Sequence, residues 1–252
     1  MSTVETAVGR FVWHDHVSGD PEAARRFYEE LLGWDFEVWK AGEWDYPMIK
    51  VNDTTYGGFG PSQGGAPPHW LGHVLVDDVD AAAGRVTASG GTIVAEPMDI
   101  PEVGRMVVVS DPQGAVFSLY ASAGEPQVSE GVFVWDELVT TDVEAARRFY
   151  GEVVGWEAHD VDMGNDYIYT LFRSGGTDRA GCSPQPPGSE GAPPAWLTYL
   201  GTADVEATLE QARSLGVTTV YMEPTDVPTV GQLAVFADPS GAAIGLFNPE
   251  AQ

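Results

Sequence analysis

The sequence predicts an α+β protein built from four βαβββ modules arranged as two tandem halves. Three observations predict it. The segment DPEAARRFYEELLGW (20–34) returns as DVEAARRFYGEVVGW (142–156), identical at eleven of fifteen positions and displaced by 122 residues in a chain of 252. Self-similarity on that scale marks a duplicated structural unit. An aspartate stands four times where a strand hands over to a helix, at Asp20, Asp78, Asp142 and Asp204, and a glycine follows each helix, at Gly33, Gly90, Gly155 and Gly216. Short β-rich runs such as TIVAEP, RMVVVSD and AVFSLY then follow, punctuated by Gly, Pro and Asp.

Taken in order, FVWHDHV (11–17) reads as the opening strand and corresponds to FVWDELV (133–139). In the helix that follows, Asp20 is a good N-cap, Pro21 suits the first helical position and Gly33 is placed to end it. Ala24, Phe27, Tyr28 and Leu31 fall at i, i+3, i+4 and i+7, as do Ala146, Phe149, Tyr150 and Val153 in the second copy. One apolar stripe per helix makes these aromatics core residues. APPHWLGHVLVDDVD (66–80) then corresponds to APPAWLTYLGTADVE (192–206), and EPMDIPEVGRMVVVSDPQGAVFSLY (96–120) to EPTDVPTVGQLAVFADPSGAAIGLF (223–247). The modules fall near 8–60, 66–124, 130–182 and 192–249. Pro/Gly-rich stretches at 60–68 and 183–194 separate them within each half, and 121–130 links domains expected at 1–125 and 126–252. A βαβββ unit leaves one face of its sheet uncovered, so pairing two units closes curved sheets around a cavity, with helices outside. Two pairs give two such barrels.

Composition narrows the function. An apolar fraction of 43% with 11% aromatics supports a proper core. No apolar run reaches the length of a membrane span, and MSTVETAVGR lacks the pattern of a secretory signal. The single cysteine, Cys182, excludes an intramolecular disulfide, and a cytoplasmic location is expected. Net charge is −26, spread over both halves. Such a field repels phosphate backbones and anionic lipid, so neither nucleic acid nor a membrane surface is expected as a partner. A small-molecule ligand is, with the chain acting as a monomer or a homodimer.

The repeated D-x-E-A-A-R-R-F-Y-x-x-x-x-G-W and the later D-P-x-G turn (Asp111–Gly114, Asp238–Gly241) resemble the vicinal oxygen chelate superfamily of glyoxalase I, bleomycin-resistance proteins and extradiol dioxygenases. More narrowly, the W-x-[DE] first strand, the P-P-x-W entry and the D-[IV]-P-x-V-G-[RQ] loop resemble tandem two-domain actinobacterial 27 kDa antigen or glyoxalase-like proteins. The resemblance implies metal ligands on the first, fifth and last strands of each barrel. Those positions fall on Trp13, Leu71 and Ser118 in the first half and on Trp135, Leu197 and Gly245 in the second. Neither set is one a divalent cation would choose. No cofactor is therefore expected; the alternative is a divalent metal on His14 and His16, two apart on one strand, with His69 or His73. The register of the resemblance points His14 and His16 toward the helices.

Strand alternation instead places Asp15 beside Trp13 and Glu137 beside Trp135. It puts His73 on the face of Leu71 and Tyr199 on that of Leu197. Each barrel is then expected to hold a carboxylate and a second proton-carrying group, Asp15 with His73 and Glu137 with Tyr199. A carboxylate against aromatic walls has its charged form disfavoured and approaches the range of a general base. Trp13, Trp135, Trp70, Trp196, Arg105 and Ser118 are the expected substrate contacts; Trp39, Trp44 and Trp70 are expected in or near loops and rims. The reading is a metal-independent enzyme of lyase, isomerase or hydroxylase-like acid–base chemistry on a carbonyl-bearing or aromatic metabolite. Its alternatives are a non-catalytic, drug-sequestering binder and a glyoxalase or oxygenase using the unconventional histidine site.

Overall fold

The computed structural model describes residues 7–41, 44–126, 131–164, 167–189 and 191–249, the side chains of Ala41 and Trp44 excepted. The last four residues of the expected linker, 127–130, lie outside the described residues.

Each module runs strand, helix, three strands. The first contains β1 (Phe11–Ser18), α1 (Pro21–Leu32), β2 (Asp35–Ala41), β3 (Trp44–Val51) and β4 (Thr54–Pro61). The second contains β5 (His69–Leu75), α2 (Val79–Ala88), β6 (Thr92–Ile100), β7 (Gly104–Ser110) and β8 (Val116–Ser122). The third contains β9 (Phe133–Thr140), α3 (Val143–Val154), β10 (Glu157–Asp162), β11 (Ile168–Ser174) and β12 (Thr177–Pro184). The fourth contains β13 (Ala195–Gly201), α4 (Val205–Ser214), β14 (Thr219–Val227), β15 (Gly231–Ala237) and β16 (Ala243–Asn248).

The four aspartates cap their helices by one mechanism. Asp20, Asp78, Asp142 and Asp204 each accept a hydrogen bond from the backbone N–H three residues on. A cap of this kind is worth about 1 kcal/mol to a helix. Gly33 and Gly155 close α1 and α3 in the left-handed conformation. The other two helices stop one residue earlier than their glycines, at Ser89 and Leu215, and the left-handed turn is taken next by Gly90 and Gly216. The buried stripes are Ala24, Phe27, Tyr28, Leu31 and Ala146, Phe149, Tyr150, Val153, as the heptad-like spacing requires.

The strands form two mixed eight-stranded sheets with the same order, β2-β3-β4-β1-β5-β8-β7-β6 and β10-β11-β12-β9-β13-β16-β15-β14. In each, the first strand of a module runs parallel to its last, as in β1 with β4 and β5 with β8. This is the α+β arrangement of four βαβββ modules that the repeat pattern predicts. Each sheet draws on one half of the chain, but the compact units do not. One unit combines 72–128 with 135–196 and the first twelve residues; the other combines 13–71 with 197–252 and the short stretch 129–134. Each has its own core. In the first unit Phe117, Phe149, Tyr150, Trp156, Phe172 and Trp196 gather; in the second, Phe27, Tyr28, Trp34, Phe59, Trp70 and Phe236 do so.

Candidate functional site

On β1 burial alternates, with His14, His16 and Ser18 buried and Trp13, Asp15 and Val17 only partly so. The side chains turned away from the core make a compact group. Trp13 Nε1–H lies 2.8 Å from the Tyr46 hydroxyl and 3.2 Å from Asp15 Oδ1, and the Tyr46 hydroxyl donates to the same carboxylate oxygen. Two donors thus hold one carboxylate oxygen in a fixed place. Tyr46 is held well above the ordinary tyrosine value, first by burial and then by the Asp15 charge, so it remains an O–H donor. Gly58, opposite Asp15 on β4, makes the group possible: a Cβ there would lie 2.2 Å from the Tyr46 oxygen.

The second half repeats this arrangement with one change. Trp135 Nε1–H donates to the Tyr169 hydroxyl at 2.9 Å, and Gly181 lies opposite Glu137. A Cβ on Gly181 would fall 1.7 Å from the Tyr169 oxygen. Here, however, Glu137 accepts from Ser183 Oγ. Tyr169 is raised far above its ordinary value by burial and then by the Glu137 charge. Neither tyrosine nor glycine was singled out by sequence reasoning. Their signal is the shared Tyr-x-[ML] of the third strand (Tyr46–Met48, Tyr169–Leu171), visible once one residue is allowed for in the hairpin.

The proposed partners divide between the units. His73 lies in the first, opposite Ser118 on β8, on the sheet face away from Val107, Val109, Phe117 and Leu119 of the core. Tyr199 lies in the second, where its ring fills the place a side chain on Gly245 would take, 2.2 Å from the would-be Cβ. Asp15 and His73 belong to different units, as do Glu137 and Tyr199.

Three expectations are corrected. Trp70 and Trp196 are core residues, 3% and 8% exposed, donating to the hydroxyls of Tyr28 and Tyr150 at 3.0 Å each. Alternation explains it: each is one residue out of phase with the strand face that carries His73 or Tyr199. Trp39, Trp44 and Trp70 lie near loops but within strands: Trp39 is in β2 with its ring edge-on to Tyr46, Trp44 begins β3 and Trp70 is second in β5. Arg105 is spent on ion pairs with Asp80 and Asp99, at 2.9 and 2.8 Å.

The histidine alternative fares no better as a ligand set. His16 Nε2 is bonded to Asp238 at 2.8 Å and His14 is stacked on Phe133. His69 Nδ1 is 2.8 Å from the Pro67 carbonyl. Among the described residues no three His, Cys, Asp or Glu side chains gather in a way that could hold a metal.

Comparison with known proteins decides the family. A model of the Glyoxalase/Bleomycin resistance protein/Dioxygenase superfamily matches residues 11–119 and again 132–246. The chain belongs to this superfamily. It is 33% identical over 250 residues to "Putative glyoxylase CFP32" of Mycobacterium tuberculosis, covering 95% of both chains. It is 33% identical over 265 residues to anthracycline biosynthesis protein DnrV of Streptomyces peucetius, covering 95% of this chain and 93% of that one. Among solved structures, the Mn(II)-bound glyoxalase of Novosphingobium aromaticivorans matches with a TM-score of 0.63 at 16% identity, over 95% of this chain and 82% of that one. The 2,2',3-trihydroxybiphenyl 1,2-dioxygenase of Sphingomonas wittichii matches with 0.64 at 14%, over 95% and 90%. These structures share the superfamily fold. The metal positions implied by the resemblance do not fit a cation in this member: tryptophan and leucine carry no suitable donor, Ser118 is a weak one, and the Gly245 position is filled by the Tyr199 ring.

Proposed function

We propose that the protein is a metal-independent acid–base catalyst acting on a neutral, carbonyl-bearing or aromatic small molecule in the cytoplasm. The observation that carries this reading is a carboxylate opposite a glycine and on the same sheet face as a bonded tryptophan–tyrosine pair, once in each half, held by Tyr46 in the first and by Ser183 in the second. Asp15 and Glu137 are the bases, each within its own unit. A carboxylate takes the proton from a carbon next to a carbonyl, the electron pair moves onto the carbonyl oxygen, and the carboxylic acid so formed returns the proton to that oxygen or to the carbon. Net charge of −26 argues against anionic substrates.

The test is deuterium exchange from D2O into the α-carbon of hydroxyacetone and of 2-hydroxy-1-phenylethanone, followed by proton NMR after dialysis against chelator. Exchange by the wild type, lost by more than a hundredfold in the Asp15→Asn/Glu137→Gln double variant, supports the reading. Equal exchange in both proteins removes these carboxylates as bases. A second reading is passive binding of a flat aromatic molecule, favoured by the likeness to an anthracycline biosynthesis protein. Saturable binding of an anthraquinone with no change in its NMR spectrum would support it.

A further inference from the structure

The two carboxylate groups are alike in parts and unlike in how their protons are spent. In the first half the Tyr46 O–H is used internally, on Asp15. In the second half the carboxylate is satisfied from elsewhere, by Ser183, and Tyr169 accepts from Trp135 while its own O–H meets no acceptor among the described residues. Burial and the Glu137 charge keep that hydroxyl protonated. Trp135, Glu137, Tyr169, Gly181 and Ser183 share one sheet face, the one opposite Leu138, Phe172, Ala180 and Cys182 of the core. A donor without a protein acceptor beside a carboxylate is the pair that a ligand carrying one acceptor and one donor completes.

We infer that Tyr169 is a ligand-binding residue whose hydroxyl donates to an oxygen of a neutral α-hydroxycarbonyl compound, whose own hydroxyl donates to Glu137. The second half is thereby the tighter site, because in the first half a ligand must displace the Tyr46–Asp15 bond before it can use either group. Gly181 is the positioning residue, since any Cβ there displaces the phenol. The inference rests on the proposed reading of these faces as ligand sites, but it is tested by binding, not by turnover.

The experiment is calorimetric titration of the full chain with 2-hydroxy-1-phenylethanone. Expected are one tight site per chain, an approximately tenfold weaker Kd in Tyr169→Phe, the value of one neutral hydrogen bond, and a similar weakening in Gly181→Ala. Tyr221→Phe, on the exposed side of β14, should bind as the wild type does. Circular dichroism melting confirms that each variant is folded; should Tyr169→Phe fail to fold, Gly181→Ala, which keeps the hydroxyl and moves it, carries the test. No binding by the wild type, two equal sites, or unchanged binding in the folded Tyr169 or Gly181 variant overturns the inference. Binding without deuterium exchange leaves it standing and removes only the catalytic reading.

Discussion

The two compact units hold the same buried network built around different neighbours. In one, Asp238 of the D-P-x-G turn accepts from Tyr28 at 3.0 Å, Tyr28 accepts from Trp70, and His16 is bonded to the same aspartate at 2.8 Å. In the other, Asp111 accepts from Tyr150 at 3.2 Å and Tyr150 from Trp196, but the place of His16 is taken by Leu138. Burial pushes both carboxyls up. Asp238 nevertheless ends below the ordinary carboxylate value, because the hydrogen bond and charge of His16 outweigh that penalty, whereas Asp111 stays above it. The stability owed to Asp238 is therefore present above the ordinary carboxylate value and lost as pH falls through its lowered one. That owed to Asp111 runs the other way, present at low pH and lost as pH rises through its raised value. One imidazole reverses the acid response of an otherwise shared motif.

Breaking the comparison at its centre gives the largest effect. His16→Leu copies the poorer unit into the richer one and leaves Asp238 buried without its partner, at a cost of about 3 kcal/mol at pH 7. Urea unfolding should show the gap between variant and wild type closing as pH falls below the carboxylate range; a gap that is absent at pH 7 would mean the histidine does not set the difference. Tyr28→Phe removes the 3.0 Å bond to Asp238 and should cost about 2 kcal/mol, against about 1 kcal/mol for Tyr150→Phe, which removes the longer 3.2 Å bond to Asp111, by the same measurement. Equal costs would erase the distinction between the two aspartates.

Leu138→His is the reciprocal graft. It should bring the Asp111 carboxyl down toward the behaviour of Asp238, read from its 13C titration, while moving stability by no more than about 1 kcal/mol. The smallest effect belongs to Cys182, which stands where the other unit has Phe59. Burial first, then the Glu137 charge, push its thiol up to about 12. Iodoacetamide should leave it unmodified in the native protein at pH 8. Its contribution to stability is lost as pH climbs from the ordinary thiol value of 9 toward 12, and Cys182→Ala should flatten that alkaline slope.

Much of the fold could be read because its signals are local. A capping aspartate, a glycine past the last turn and an apolar stripe need only a dozen consecutive residues, and all four helices follow from them. The repeat supplied the module count. The site was harder, because its members meet only through strand pairing: Tyr46 lies 31 residues from Asp15 and Tyr169 lies 34 from Trp135. The offset between copies also changes from 122 to 123 between β2–β3 and the matching hairpin β10–β11, which hides the correspondence of Tyr46 with Tyr169 and of Gly58 with Gly181. Face assignment failed where a residue was judged by type alone. Trp70 and Trp196 look like ligand-stacking aromatics in composition, but strand parity assigns them to the core.

Tyr28 finds its acceptor 210 residues downstream, and Asp111 finds its donor across the boundary between the copies, so neither half of the chain carries a finished network. A gene encoding one half would yield a polypeptide with its phenol and its turn carboxylate both stranded. A second molecule would have to deliver the missing members. Joining the copies on one strand of peptide makes that encounter intramolecular and sets its stoichiometry permanently. It also frees the two copies to diverge, which is how a leucine and a histidine come to occupy the same place.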